Sequence, residues 1–220
     1  MPENNSDLHG FVPEKSPVVL LLIDVINDAE FPEGEQLMQF ALPMAKKIAE
    51  LKRRAEAANI PIIYVNDNFG RWQSDFSRVV EHCLQDDVRG RPLAELLQPG
   101  DDDYFVLKPK HSAFFSTTLD TLLVYLQAET LVMTGVAGNI CVLFTANDAY
   151  MRDFHVVVPR DCIASNNLEE NEHALEIMET VLKADTCPSE EIDFAQLLQE
   201  AEPKTGSKAT HTTPEFAAQK

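Results

Sequence analysis

Leu131-Val-Met-Thr-Gly-Val-Ala-Gly-Asn-Ile-Cys141-Val-Leu-Phe-Thr-Ala-Asn-Asp-Ala-Tyr150 decides how the rest of this chain is read. It opens as a short apolar run, breaks at Thr134-Gly135, and resumes with apolar residues at helical spacing. A strand, a glycine turn and a helix follow one another, and Cys141 falls near the first turn of the helix. A thiol there faces orphan backbone N–H groups and the positive end of the helix dipole, which both favour the thiolate. A cysteine among apolar neighbours is otherwise a structural core residue. Its reading as a nucleophile depends on a base and a cation converging on it from elsewhere.

Upstream, Pro17-Val-Val-Leu-Leu-Leu-Ile-Asp24 is a continuous apolar run of strand length, as expected of a strand buried on both faces in a parallel sheet. Asp24 closes it; a carboxylate there needs a role or a partner, and it also suits a cap on the turn Val25-Ile-Asn-Asp-Ala. Ile60-Pro-Ile-Ile-Tyr-Val-Asn66 reads as a second strand and Asp103-Tyr-Phe-Val-Leu-Lys108 as a third, again ending on a charge. Glu129 to Thr134 is the fourth and Phe154 to Pro159 the fifth.

Helical periods lie between these runs. Leu37, Phe40, Ala41, Met44, Ile48, Leu51 and Ala55 share one face of a helix ending near Ala58, and Pro43 suits its first turn. Short helices are expected over 74–84 and 92–97, and another to about Gln127, capped by Ser116, Thr117 or Thr118. The Cys141 helix runs to about Asp153, and an acidic helix spans Leu168 to Ala184. Asp161 to Asn167 reads as a loop, and residues 185–198 as a last short strand and turn. Residues 67–103 are the least regular part, which suits a lid or binding loop. Trp72 within it is a packing anchor or a pocket wall, and Asp67 an Asx turn or a substrate ligand.

At 220 residues the chain suits one domain, with a polar arm over 1–15, a folded body over 16–198 and a disordered tail over 199–220. Strands alternating with helices define an α/β fold, a mostly parallel central sheet in a three-layer α/β/α arrangement. The net charge of -18, from 36 acidic and 18 basic residues, argues against nucleic-acid and anionic-membrane partners. No apolar run has the length of a membrane span, and no secretory leader is visible. The four cysteines form no C-x-x-C pair and the six histidines no H-E-x-x-H pattern. A reduced, cytoplasmic protein without a metal or other cofactor is expected.

Ligands of such sheets bind beyond the carboxyl ends of the strands. Asp24 ends the first strand, Lys108 ends the third and Cys141 follows the fourth, so all three belong at one sheet edge. A thiol, a carboxylate and an ammonium together suit nucleophilic acyl transfer on a small molecule. Cys141 attacks a carbonyl carbon, Asp24 carries the proton, and Lys108 holds both anions and favours the thiolate. Backbone N–H groups at the start of the Cys141 helix suit an oxyanion, and Gly135 and Gly138 permit the sharp turn this needs.

At these residues the chain resembles the isochorismatase-like cysteine hydrolases. The resemblance rests on Ile23-Asp24 followed by Asn27 and Phe31, on Lys108-Pro-Lys-His-Ser112-Ala113-Phe114, and on Thr134 through Val142 followed by Thr145, Ala146 and Ala149. Asp161-Cys-Ile-Ala-Ser165 is also similar, and the whole covers about 17–195. It implies an Asp24-Lys108-Cys141 triad and a cis peptide between Val136 and Ala137. It also implies an oxyanion hole from the N–H groups of Ala137 and Cys141, and a homo-oligomer. The spacing to Ser112-Ala113-Phe114 favours Lys108 over its rival Lys110, and His111 belongs to the turn wall. Metal-dependent nicotinamidases of the family carry an Asp-x-His pair where this chain has Asn66-Asp67-Asn68, so that subgroup is disfavoured.

Phe31, Asp67, Trp72 and Phe114, with Phe115, are the candidate substrate-binding residues. Because the cysteine is present, hydrolysis of an amide, ureide or carbamoyl C–N bond is expected. The alternatives are vinyl-ether hydrolysis of the isochorismatase type, and a non-catalytic thiol protein that binds or senses oxidants.

Overall fold

The computed structural model describes residues 15–70 and 75–201. The sheet is built from β1 (Val18–Ile23), β2 (Ile62–Asp67), β3 (Tyr104–Lys108), β4 (Thr130–Val136), β5 (His155–Val157) and β6 (Ile163–Ala164). The order is β3-β2-β1-β4-β5, and every pairing is parallel. β6 continues along β4 past the end of β5, pairing Ile163 with Gly135 and Ala164 with Val136. The short strand β6 replaces part of the loop expected over 161–167. Its two residues are too few for an apolar period to register.

Alternation along β1 assigns the two cores. Val18, Leu20 and Leu22 join one buried cluster, while Val19, Leu21 and Ile23 join the other. The first cluster is covered by α1 (Gly34–Ala57), α2 (Phe76–Gln85), α3 (Arg91–Leu96) and α7 (Phe194–Ala201). The second is covered by α4 (Leu119–Leu126), α5 (Leu143–Tyr150) and α6 (Leu168–Thr180). Three layers result, as the alternation of strands and helices implies.

Several element boundaries differ from the sequence expectation. Helix α1 does not start at Pro43 but runs through it from Gly34. An interior proline costs about 3 kcal/mol. Leu37, Met38 and Ala41 are all buried on the turns before it. Burial of side chains such as Leu and Met at roughly 1.5–3 kcal/mol each offsets that cost. Helix α4 has Thr118 at its N-cap without a side-chain cap; the Thr117 hydroxyl instead accepts from Leu119 N–H at 3.2 Å and donates to the Ala113 carbonyl at 2.6 Å. Helix α6 stops at Thr180 rather than Ala184.

Residues 185–198 hold a single bridge between Val157 and Asp185, a 3-10 turn Ser189–Glu191 and the start of α7, not a strand. Helix α7 takes in residues 199–201, which the sequence reading assigns to the tail. Residues 1–14 of the expected arm and 202–220 of the tail fall outside the described residues. Between β2 and β3 the chain makes α2 and α3, close to the short helices expected over 74–84 and 92–97. Among the described residues no helix is long and apolar enough to cross a membrane.

Candidate active site

With β1 between β2 and β4, the carboxyl ends of β1, β2, β3 and β4 lie side by side, and each delivers one chemical group. At the end of β1 the backbone turns through a left-handed conformation at Asp24, φ 52°. The Asp24 N–H stays on the neighbouring strand, donating to the Val65 carbonyl at 2.9 Å. Its side chain is buried: Oδ1 accepts from Asp67 N–H at 2.6 Å, and Oδ2 lies 2.8 Å from Lys108 Nζ. Opposite Ile23, Gly135 has φ 118°, and a Cβ there would sit 2.0 Å from the Ile23 carbonyl oxygen. Only glycine lets β4 approach β1 this closely.

Lys108 closes β3 and is fully buried. Burying an ammonium costs several kcal/mol unless it is paired and hydrogen-bonded. Lys108 Nζ has the Asp24 carboxylate, the Lys110 carbonyl at 3.1 Å, Cys141 Sγ at 3.5 Å and Asp67 Oδ2 at 3.8 Å. Of the two lysines, Lys108 is the one the fold brings to the thiol; Lys110 is exposed and supplies only its carbonyl to this group.

Cys141 lies in a π-turn, Gly138–Val142, that joins β4 to α5. π-turns of this kind are frequent at functional sites. The peptide between Val136 and Ala137 is cis. The Ala137 carbonyl accepts from Ile140 and Val142, the residues flanking Cys141, each at 3.1 Å. The turn is braced from two sides. The Thr145 hydroxyl donates to the Cys141 carbonyl at 2.7 Å and accepts from Ala113 N–H at 3.0 Å. On the other side the Asn139 N–H donates to Ser165 Oγ at 3.1 Å, and that hydroxyl donates to Asn171 Oδ1 at 2.8 Å. Gly138 is packed so close to this pair that a Cβ would lie 2.3 Å from Asn171 Oδ1.

The electrostatics correct one expectation. The helix end and Lys108 do not make Cys141 a resting thiolate. Burial and the adjacent Asp24 carboxylate push the thiol up to about 12, and the opposing pull of Lys108 does not overcome them. Burial raises Asp24 above the usual carboxylate range, against the lowering influence of Lys108 and of its hydrogen bond with Cys141. Burial works against the Lys108 charge, but Asp24, Cys141 and Asp67 together raise its affinity for the proton. In the resting state the lysine is charged and the sulfur keeps its proton beside a carboxylate that readily accepts one.

The remaining residues singled out from the sequence divide. Asp67 lies at the rim, its backbone N–H on Asp24 and its Oδ1 accepting from Phe69 N–H at 2.6 Å; it both closes an Asx turn and faces Lys108. Phe31 is 38% exposed in the loop that leaves Asp24, and its carbonyl accepts from Gly34 N–H. Phe114 is not brought to the thiol. It is 4% exposed, stacks on Phe154 at 6.1 Å, and lies under the Arg152 guanidinium at 4.5 Å, beyond the far end of α5. The Ser112 and Ala113 contacts to Asp148 and Thr145 draw this segment along α5, which carries the ring into the core. Trp72 lies outside the described residues.

His111, assigned to the turn wall, comes closer than expected: Nδ1 is 3.9 Å from Cys141 Sγ. A histidine three residues past Lys108 carries no periodicity or spacing signal that marks it as a neighbour of the sulfur. Among the described residues no three His, Cys, Asp or Glu side chains converge as a metal site. In the Asn66-Asp67-Asn68 segment Asn66 donates to the Ile26 carbonyl at 2.6 Å, and Asn68 accepts from Gly70 N–H at 2.9 Å.

A parallel α/β sheet with an acid, a base and a thiol at one edge defines a hydrolase-like class of α/β protein. Comparison with known proteins makes the class specific: residues 18–190 match the isochorismatase domain, and the chain belongs to the isochorismatase family. It is 47% identical over 178 residues to the uncharacterized isochorismatase family protein YaaI of Bacillus subtilis, covering 81% of this chain and 97% of that one. It is 41% identical over 181 residues to the ureidoacrylate amidohydrolase RutB of Pantoea ananatis, covering 69% of this chain and 70% of that one. Some other relatives are matched over about half their length, as with the isochorismatase of Bacillus subtilis at 56%. Among solved structures, an isochorismatase family protein of Desulfovibrio vulgaris superposes with a TM-score of 0.63 at 26% identity, over 83% of this chain and 100% of that one. The family is one of hydrolases with amidohydrolase members, and this chain shares its fold.

Proposed function

We propose that this protein is a cysteine hydrolase that cleaves a C–N bond of a small amide, ureide or carbamoyl compound through a thioester on Cys141. The observation that carries this reading is the contact of one thiol with a buried lysine–carboxylate pair, Lys108 Nζ lying 3.5 Å from Sγ and 2.8 Å from Asp24. A structural cysteine needs neither partner, and burying both charges is costly.

In the proposed reaction Asp24 takes the Sγ proton as the sulfur bonds to the carbonyl carbon, and the carbonyl electron pair moves onto oxygen. The N–H groups of Ala137 and Cys141 hold that oxyanion. The raised Asp24 then gives its proton to the leaving nitrogen, the C–N bond breaks and a thioester remains. Water attacks the thioester, Asp24 takes a proton from it, and the sulfur leaves and recovers that proton. Lys108 stays charged throughout, offsetting the negative charge shared by Asp24 and the sulfur.

Mass spectrometry of the protein after incubation with amide, ureide and carbamate panels tests this reading. The expected result is an acyl adduct on Cys141 and loss of turnover in Cys141→Ala. Full activity in Cys141→Ala, with no adduct in the wild type, overturns it and points to thiol-independent vinyl-ether hydrolysis. A reactive Cys141 with no turnover across the panels overturns it in favour of a binding or redox role.

A further inference from the structure

The turn that follows Lys108 is held rigidly over the nucleophile. Lys108 Nζ donates to the Lys110 carbonyl, the Ser112 hydroxyl meets Asp148, and Ala113 N–H reaches Thr145, which is itself bonded to the Cys141 carbonyl. These bonds place His111 with Nδ1 3.9 Å from Sγ, and the Phe144 ring packs 5.8 Å from the imidazole. Asp24 and Lys108 are buried beneath the sulfur, whereas His111 is exposed, so the thiol lies between a buried ion pair and a solvent-facing imidazole.

Nε2 of His111 and the ammonium of Lys110 have no hydrogen-bonding or ionic partner among the described residues. The nearby carboxylates are already engaged. Asp24 is held by Lys108 and Asp67 N–H, Asp67 faces Lys108 and caps Phe69, and Asp148 is held by Ser112 and Arg152. On a chain of net charge -18, an exposed imidazole beside a nucleophile, followed back along the same turn by an exposed lysine, with no acidic partner to either among the described residues, is an anion-facing feature.

Resting on the Cys141 reading above, we propose that Lys110 and His111 form an anion-recognition arm and that the substrate is an acyl compound bearing a carboxylate. The imidazole donates a hydrogen bond from Nε2 to the carboxylate and the lysine supplies the charge.

Alkylation with a charge-matched pair of reagents tests this without knowledge of the substrate. Iodoacetate and iodoacetamide form the same S–C bond and release the same iodide, but only the former carries a carboxylate. Peptide mass spectrometry gives the rate at Cys141, with the half-buried Cys187 and free glutathione as references. At Cys141 the iodoacetate-to-iodoacetamide ratio is expected to exceed that of glutathione by at least about tenfold. His111→Gln and Lys110→Gln should each lower the ratio severalfold, and the double variant should bring it to the reference value. A wild-type ratio equal to that of glutathione, or a ratio unchanged in the variants, overturns the anion arm and leaves the Cys141 reading standing. Failure of both reagents to label Cys141 in protein that does form the acyl adduct overturns the arm alone, and failure together with absence of any acyl adduct overturns the nucleophile and the arm together.

Discussion

A single buried pair, Lys108 and Asp24, carries both the proposed chemistry and the electrostatic risk of this protein. Removing the lysine by Lys108→Met leaves a carboxylate buried with only the Asp67 N–H and the thiol as partners, an orphaned charge that costs about 3–5 kcal/mol. The cost depends on pH. With its folded-state pKa raised above the unfolded value, Asp24 contributes stability that is fully present below the unfolded pKa and is lost as pH rises through the folded one. Denaturant titration of Lys108→Met should therefore show a deficit that grows from acid to neutral pH, and Asp24→Asn in the same background should relieve it. Activity runs the other way. The base must be ionised to take the thiol proton, so kcat/KM should rise with pH through an acid limb above the ordinary carboxylate range. Asp24→Asn should abolish that limb and lower the rate by about 10²–10⁴-fold.

The thiol adds a second pH signature. Cys141 is pushed up to about 12 from 9.0, so the folded chain binds this proton more tightly than the unfolded one. The associated stability is present below pH 9 and is lost as pH rises towards 12. Cys141→Ala should flatten part of the alkaline fall in stability relative to wild type, as read by urea midpoints across that range. The sequence argument for a resting thiolate fails here for an identifiable reason: it counts the helix end and the lysine but omits desolvation, which only the packed structure sets.

At the scale of elements, the nucleophile turn is a junction clamped between β1, α4's leading segment and α6. Gly135 and Gly138 are where the clamp leaves no room. Gly135→Ala combines a positive-φ backbone with contact against the Ile23 carbonyl, and should lose about 3 kcal/mol or more or fail to accumulate as folded protein. Gly138→Ala meets side chains rather than backbone, Asn171 at 2.3 Å with Ile163 and Ser165 beside it, on a backbone without positive φ. It should lose less stability than Gly135→Ala and also lose catalytic rate, separable by comparing urea midpoints with kcat. Elements dominated by one signal were legible in the sequence. The all-apolar runs of β1 and β4 announce strands buried on both faces, and the α1 stripe announces a helix. Elements whose existence depends on tertiary pairing were not. Two-residue β6 forms because β4 offers it an edge, and α1 crosses Pro43 because the sheet buries the turns before it. The convergence of Asp24, Lys108 and Cys141 was legible because strand ends are legible, and the approach of the His111 imidazole was not because it is set by hydrogen bonds from Ser112 and Ala113 to α5.

At the scale of the whole molecule, 36 acidic against 18 basic side chains make self-repulsion a standing cost of the compact state. The Debye length shortens from about 30 Å at 0.01 M to about 8 Å at 0.15 M salt. The melting temperature should therefore rise by a few degrees over that interval with an indifferent salt, measured calorimetrically. A flat response would place the acidic groups in compensated pairs. The same surplus makes a carboxylated ligand depend on local cations rather than on long-range attraction, so salt should weaken iodoacetate labelling less than it would on a basic protein.

The strand order carries a consequence for how the chain comes into being. β1 is the first strand, yet it lies at the centre, and the hydrogen bond from Thr134 to Leu21 joins positions 113 residues apart. As the chain leaves the ribosome, β1, β2 and β3 can form a half-sheet, but one flank of β1 stays bare until β4 has been synthesised. The aspartate and lysine are made early and wait for a sulfur that arrives late. Asp24, Lys108 and Cys141 therefore meet only once β4 and the turn after it have joined the sheet.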